Sequence, residues 1–128
     1  MTNPIVHFEI IGQRPDDLRR FYGELFGWVA DTDSVVAPEI SDAGEYGFID
    51  HPADAGPGGI PGGIGGGAGR AAHTIFYVGV PDVAVALARA ESLGGTVVLP
   101  ISAKPGGGLV VAHFADPEGN VIGLAGPR

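Results

Sequence analysis

Two runs of mostly apolar residues, at positions 5–11 and 74–80, are rich in the β-branched and aromatic residues that strands favour. Each run is followed by the dipeptide Pro-Asp, at 15–16 and 81–82. This dipeptide is typical of the start of a helix, because proline loses no hydrogen bond in the first turn and aspartate is favoured at the positive end of the helix dipole. We therefore predict a strand followed by a helix in each half of the chain.

The two predicted helices differ in the strength of their apolar pattern. Side chains at three- and four-residue spacing give the first helix one apolar face: Leu18, Phe21, Tyr22, Leu25 and Phe26. We expect Gly27 to end this helix, and Gly94 with Gly95 to end the weaker second one. Three short strands are predicted after each helix, at 28–33, 45–50 and 60–64 in the first half and at 96–99, 109–115 and 120–124 in the second.

The two halves share more than their β-α-β-β-β order. Five identities recur at one offset of 66 positions: His7 and His73, Pro15 and Pro81, Asp16 and Asp82, Phe48 and Phe114, and Asp50 and Asp116. At 128 residues the chain has the length of a single domain. We predict one α+β domain, residues 1–128, built from module one (1–55), a glycine-rich connector (56–70) and module two (71–128).

The connector is unusual, because nine of the chain's 23 glycines lie between positions 56 and 69. A phosphate-binding loop is excluded, since no lysine follows the glycines, and a dinucleotide-binding turn is excluded, since a strand rather than a helix comes next. We interpret the segment as a flexible link that contains one strand whose backbone approaches a neighbour closely. A mobile lid over a substrate is the alternative.

Composition and charge narrow the classes of function. The chain has no cysteine, which excludes disulfides, thiolate zinc sites and a cysteine nucleophile. Seven Lys and Arg against 15 Asp and Glu give a net charge of −8, so nucleic acid is not an expected partner. The chain shows neither a signal peptide nor an apolar run of about 20 residues, so we expect a cytoplasmic protein without a membrane partner.

The candidate chemistry begins with His7 and His73, which occupy matching places on the first strand of each module. Imidazole binds divalent transition metals and moves protons near neutral pH, so both residues are candidate metal ligands and His73 is also a candidate catalytic group. Strand alternation places Glu9 on the face of His7. An acidic residue in an apolar strand is costly unless it is paired, binds a metal or lines a wet cavity. Glu9 is therefore a candidate general base or third ligand, or else a carboxylate paired with an arginine.

Two further residues are candidates for substrate binding. Tyr77 shares the face of His73, and His113 alternates with Val111 and Ala115 in an apolar strand. Each is also compatible with an ordinary place in the core.

Residues 116–120, with the sequence DPEGN, predict a tight turn in which Gly119 takes a positive φ angle.

Three segments together resemble the vicinal oxygen chelate superfamily, the glyoxalase/bleomycin-resistance/dioxygenase group: HFE at 7–9, RRFYGELFGW at 19–28 and DPEGN at 116–120. The chain is similar to a divergent glyoxalase-like branch of that group. The resemblance implies paired βαβββ modules whose strands form a curled mixed sheet, a cup around a small-molecule site. It also implies a homodimer.

The same resemblance implies a divalent metal (Zn, Ni, Mn or Fe) held by one residue from each of four strands. His7 and His73 match the two histidine places, but the last-strand places fall on Gly123 and within 62–65, which hold no carboxylate. Three readings remain open: Glu9 completes a set with His7 and His73, the site works without metal, or substrate and water complete the shell.

Three functions are compatible with these residues. The first is a divergent enzyme that acts on a small oxygen-bearing molecule as a lyase, isomerase or dioxygenase. The second is a non-catalytic protein that binds a small molecule or drug in the same kind of cup, as bleomycin-resistance proteins do. The third, a structural or interaction module, would leave His7 and His73 without a role.

Overall fold

The structure is a computed structural model and describes residues 2–50 and 59–128. The elements follow in the order β1 (Ile5–Gly12), α1 (Pro15–Phe26), β2 (Ala30–Asp31), β3 (Gly47–Ile49), β4 (Gly62–Gly66), β5 (His73–Gly79), α2 (Val83–Ser92), β6 (Thr96–Ala103), β7 (Leu109–Ala115) and β8 (Val121–Pro127). The predicted α+β class and the twofold β-α-β-β-β order are confirmed. The predicted boundary between module one and the connector, at 55–56, lies outside the described residues.

The chain divides into two compact units. Unit 1 comprises Met1–Val6 and Ile75–Arg128, and unit 2 comprises His7–Thr74. In unit 2 the strand order is β2-β3-β4-β1, with β1 and β4 parallel and the other pairs antiparallel. In unit 1 the order is β5-β8-β7-β6, with β5 and β8 parallel and the other pairs antiparallel. Each unit therefore contains a four-stranded mixed sheet.

Helix α1 begins and ends where its sequence predicts. Pro15 stands in its first turn, and Gly27 caps the C-terminus in the left-handed conformation, at φ 74°, with its N–H donating to the Gly23 carbonyl. Of the predicted apolar face, Phe21, Leu25 and Phe26 are each more than half exposed.

Strand β4 consists of four glycines and Ile64, and all five residues are buried. A Cβ atom on Gly62 would overlap the ring of Phe8, and one on Gly63 would overlap the ring of Tyr46. Aromatic rings therefore cover both faces of this strand and leave no room for side chains at these positions. The prediction of a strand with close backbone approach is confirmed, at 62–66 rather than 60–64.

The core of unit 1 lies between α2 and its sheet. It consists of Val80, Val83, Leu87, Val110, Ala112 and Leu124. The Asp82 carboxylate caps the start of α2 by accepting a hydrogen bond from the Val85 N–H at 3.0 Å, so the predicted helix start is confirmed.

Several strands differ in length from their predictions, and for β6 and β2 the structure gives the reason. Strand β6 continues past Pro100 to Ala103, because an irregularity in its register with β7 between Leu99 and Ser102 accommodates a residue that has no N–H to donate. Strand β2 is only two residues long, because the Asp31 side chain accepts a hydrogen bond from the Asp33 N–H and turns the chain.

The predicted turn at 116–120 is present. The Asp116 carboxylate accepts hydrogen bonds from the N–H groups of Glu118 and Asn120 and from the Asn120 side-chain amide, each at 2.9 Å. Gly119 has a φ of 91°. The Asn120 side-chain hydrogen bond is the main cause that lowers the pKa of Asp116.

In the described part of the chain, no helix is long and apolar enough to cross a membrane.

Candidate functional site

Tyr46 is the centre of the candidate site in unit 2, and the backbone just before it is held by Arg19. The guanidinium of Arg19 forms an ion pair with Asp16 on the same helix and donates a hydrogen bond to the carbonyl of Glu45. Helix α1 thus fixes the chain immediately before β3. The side chain of Tyr46, the next residue, lies over β4 and reaches Glu9 on β1.

The Tyr46 hydroxyl joins two of the predicted site residues. It donates a hydrogen bond of 2.9 Å to Oε1 of Glu9 and lies 2.9 Å from Nε2 of His7. Glu9 is 3% exposed and Tyr46 2% exposed, whereas His7 is half-buried. We call these three residues the His7–Tyr46–Glu9 cluster.

The hydrogen bonds of the cluster have a defined direction. A phenol has a single proton, and since Tyr46 donates it to Glu9, the bond to His7 requires Nε2–H of the imidazole as the donor. Burial lowers the pKa of His7 below its ordinary value, which favours the neutral imidazole at neutral pH. In the cluster, His7 thus donates a hydrogen bond to Tyr46, and Tyr46 donates one to the buried Glu9 carboxylate.

Two glycines of β4 make room for the tyrosine ring. Glu9 on β1 is the register partner of Gly63, and Gly63 and Gly65 share one face of their strand. A Cβ on Gly63 would overlap the Tyr46 ring, and a Cβ on Gly65 would lie 2.6 Å from its Cδ2 atom. The ring therefore lies directly over the β4 backbone beside Glu9.

Unit 1 contains a related pair. The Tyr77 hydroxyl and Nε2 of His113 are 2.8 Å apart, with Tyr77 2% and His113 8% exposed. Gly123 is the register partner of both residues, on β8 between β5 and β7. A Cβ on Gly123 would overlap the Tyr77 ring. Both residues predicted to bind substrate are thus joined to each other over a glycine, and their contact with a substrate stays a prediction.

His73 lies apart from the cluster. It is exposed, and its Nδ1 lies 3.1 Å from the Ala71 carbonyl oxygen. It lines an open groove of about 840 Å³ together with residues of α1 and the end of β1, and neither His7 nor Glu9 lines that groove. The roles of His73 as a metal ligand and as a catalytic group stay predictions.

The residues present do not fit the metal that the resemblance implies. In the ranges 2–50 and 59–128, no group of three or more His, Cys, Asp or Glu side chains could hold a metal ion. The Tyr46 and Tyr77 rings fill the space beside Gly63 and Gly123, where the last-strand ligands would have to project. The set of His7, His73 and Glu9 therefore has no geometric support, and we derive no chemical step through a metal.

Sequence reasoning missed Tyr46. The internal repeat gives no indication of it, because the residue 66 positions later is Ala112. The usable signal is the alternation of Gly63 and Gly65 in a buried strand, which requires a large side chain from a neighbour to fill that face. Strand alternation then offers Tyr46 and Phe48 as the aromatic candidates.

Paired βαβββ modules and a Tyr–His pair in each unit define an α+β protein with a repeated, glycine-lined interior. Residues 4–124 match the sequence profile described as Glyoxalase/Bleomycin resistance protein/Dioxygenase superfamily. The chain belongs to this superfamily, as the three resembling segments predict.

Solved structures show the same fold at low sequence identity. A variant of Streptomyces coelicolor methylmalonyl-CoA epimerase in complex with 2-nitronate-propionyl-CoA is 15% identical, with a TM-score of 0.65 over 100% of this chain and 99% of that one. The epimerase of Mycobacterium tuberculosis is 14% identical, with a TM-score of 0.62 over 97% of this chain and 87% of that one.

A third similar structure is described by its superfamily alone. A glyoxalase/bleomycin resistance protein/dioxygenase superfamily member from Vibrio splendidus 12B01 is 14% identical, with a TM-score of 0.55 over 98% of this chain and 99% of that one. A search of curated proteins gave no match.

Proposed function

We propose that this protein is a divergent glyoxalase-like isomerase that moves a proton on a carbon next to a carbonyl group of a small molecule, with Glu9 as the general base. The observation that carries the proposal is the buried Glu9 carboxylate, 2.9 Å from the Tyr46 hydroxyl. Membership of the superfamily and the fold shared with epimerases support the reaction class.

The proposed step is a proton transfer in two stages. The C–H bond breaks, its proton passes to the Glu9 carboxylate, and its electron pair moves into an enolate on the adjacent carbonyl oxygen. Return of the proton to the other face of the carbon gives the isomer. A carboxylate in a water-poor site suits this task, because burial withdraws it from hydration while Tyr46 holds one of its oxygens in place.

The substrate class follows from this chemistry. The proton must be acidified by a neighbouring carbonyl, which is present in 2-substituted 3-oxo acids, their thioesters and α-hydroxy ketones. Tyr77 and His113 lie in unit 1 and take no part in this step, and their binding of a substrate oxygen stays a separate prediction. His73 lines a groove that Glu9 does not line, so its catalytic role stays a prediction outside this step.

Hydrogen–deuterium exchange tests the proposal without knowledge of the natural substrate. Compounds of these three classes are incubated with the protein in D₂O, and loss of the proton on the activated carbon is followed by NMR. We expect exchange with at least one class, reduced about 100-fold or more in E9Q. The control is E24Q, which removes an exposed carboxylate of α1 and should leave the rate unchanged.

Two outcomes would contradict the proposal. Exchange that survives in a folded E9Q protein removes Glu9 as the base. Absence of exchange with every class, together with saturable binding of the same compounds in calorimetry, favours the alternative function instead. That alternative is a non-catalytic small-molecule or drug-binding protein. The observation in its favour is that a tyrosine ring covers each of Gly63 and Gly123, the positions from which a metal-binding side chain would have to project.

A further inference from the structure

Three positions of unit 2 could in principle form a metal site. His7 and Glu9 lie on one face of β1, and position 63 on β4 is the register partner of Glu9. An imidazole and two carboxylates on adjacent strands would form a ligand set that suits divalent transition metals. In this chain the third position is Gly63, so the set lacks one member.

The Tyr46 hydroxyl occupies the space between the other two members. It lies 2.9 Å from Nε2 of His7 and 2.9 Å from Oε1 of Glu9. A metal bound by the same two atoms would have to lie about 2.0–2.2 Å from each, in the region that this hydroxyl fills. The phenol and a metal ion therefore exclude one another here.

The ring of the same tyrosine closes the third position. A Cβ on Gly63 would overlap the ring carbons and the hydroxyl oxygen of Tyr46. Any ligating side chain at position 63 thus requires the ring to leave. One residue therefore blocks the place of the metal and the place of its missing ligand at once.

Unit 1 repeats this arrangement independently. Nε2 of His113 is paired with the Tyr77 hydroxyl at 2.8 Å, and the Tyr77 ring lies where a side chain on Gly123 would begin. Because His113 and Gly123 are register partners, a ligand at position 123 would lie beside this imidazole. A tyrosine over a glycine, bonded to a histidine, thus occurs in both units.

We propose that Tyr46 and Tyr77 replace metal coordination in this protein, each filling the place of a last-strand ligand and engaging a histidine nitrogen, so that the His7–Tyr46–Glu9 cluster works without a divalent metal. The proposal concerns the same side chains as the proposed isomerase activity but does not depend on it, because metal binding is measured without a substrate.

The decisive experiment restores the missing ligand. Untagged protein is titrated with Co²⁺ and Zn²⁺ by calorimetry, and Co²⁺ binding is also followed by its visible absorption. The wild-type protein should show no saturable site. The double variant Y46A/G63E removes the phenol and adds a carboxylate beside Glu9, so we expect it to gain one saturable site of 1:1 stoichiometry. Adding H7A to the double variant should abolish that site.

Single variants separate the two effects of the tyrosine. G63E alone should lower the unfolding temperature and gain no metal, because the ring still occupies the space. Y46A alone opens the space but supplies only His7 and Glu9, so its binding should stay far weaker than that of the double variant. Y46F retains the ring and should remain without a site.

Every result of this series decides the proposal. Stoichiometric metal in the wild-type protein, lost in both H7A and E9Q, overturns it. A folded Y46A/G63E protein that binds no Co²⁺ also overturns it, because the tyrosine would then not be the obstacle. If that variant does not fold, the wild-type titration decides on its own.

Discussion

Units 1 and 2 each contain a hydrogen bond between a tyrosine and a histidine, but the two residue types have exchanged places along the chain. In unit 2 the histidine lies on the first strand, β1, and the tyrosine precedes the third, β3. In unit 1 the tyrosine lies on the first strand, β5, and the histidine on the third, β7. The histidine repeat between positions 7 and 73 therefore does not identify the equivalent pairs, because His7 is bonded to a tyrosine in unit 2 whereas the histidine bonded to a tyrosine in unit 1 is His113.

The units differ in one chemically decisive residue. The position of unit 1 that matches Glu9 at the 66-residue offset is Ile75, which is 6% exposed. Both positions are buried, but only unit 2 places a carboxylate there, bonded to its tyrosine. The proposed general base therefore belongs to unit 2, whereas unit 1 has an isoleucine at the matched position.

The largest difference should come from conservative substitutions at the two matched positions, Glu9 in unit 2 and Ile75 in unit 1. E9Q should reduce proton exchange about 100-fold or more, because the amide cannot take the proton. I75V should leave the exchange rate unchanged and cost about 1 kcal/mol of unfolding free energy. The measurements are NMR exchange and urea unfolding, and equal losses of activity in the two variants would contradict the assignment of catalysis to unit 2.

Removing each tyrosine hydroxyl should show which of the two tyrosines contributes more, through its hydrogen bonds, to the free energy of unfolding. Y46F loses a hydrogen bond to a carboxylate and should cost about 1.5–3 kcal/mol, whereas Y77F loses a bond to an imidazole and should cost about 0.5–1.5 kcal/mol. Urea unfolding of the two variants at neutral pH gives both values. A larger loss in Y77F would show that the carboxylate does not strengthen the bond in unit 2.

Lowering the pH should reduce the free energy of unfolding, because His7 is half-buried in its neutral form. Burial lowers the pKa of His7, so the unfolded chain takes up a proton near pH 6.5 that the folded chain does not. This contribution to stability is therefore complete above pH 6.5 and declines as the pH falls toward the folded-state pKa. Urea unfolding between pH 7.5 and about 5 should show a steeper decline in the wild type than in H7Q.

The smallest effect should come from the matched aspartates at the strand ends. In unit 1 hydrogen bonds from Asn120 and its neighbours lower the pKa of Asp116, so this carboxylate stabilises the fold above its unfolded pKa and loses that effect as the pH falls through the folded one. D116N should therefore unfold at slightly lower temperature than the wild type at neutral pH, with the difference disappearing in strong acid. D50N is the matched substitution in unit 2, and a loss as large as that of D116N would contradict a specific role for the turn.

Local rules account for most of the fold. The Pro-Asp helix starts, the Gly27 cap and the turn at 116–120 each depend on a few neighbouring residues, so the sequence pattern predicts them. The extension of β6 past Pro100 was not predictable, since it depends on an irregularity in pairing with a strand distant in sequence.

The candidate site was predictable only in part. Alternation along one strand places His7 and Glu9 on a common face, but their link through Tyr46 joins residues 39 and 37 positions apart. The strand that brings them together, β4, carries almost no side-chain pattern. Long-range packing of this kind is determined by which ring fills which gap, and a single sequence does not specify it.

Strand β4 also has a consequence for the order of folding. Glycine loses more backbone freedom on ordering than any other residue, by about 0.5–1 kcal/mol relative to alanine, and four of the five residues of β4 are glycines. The rings that enclose it belong to Phe8 and Tyr46, so β4 gains its packing only after those side chains are held in place. Strand β4 lies between β3 and β1, so we expect its pairing with both to be completed late in folding, together with the seating of those two rings.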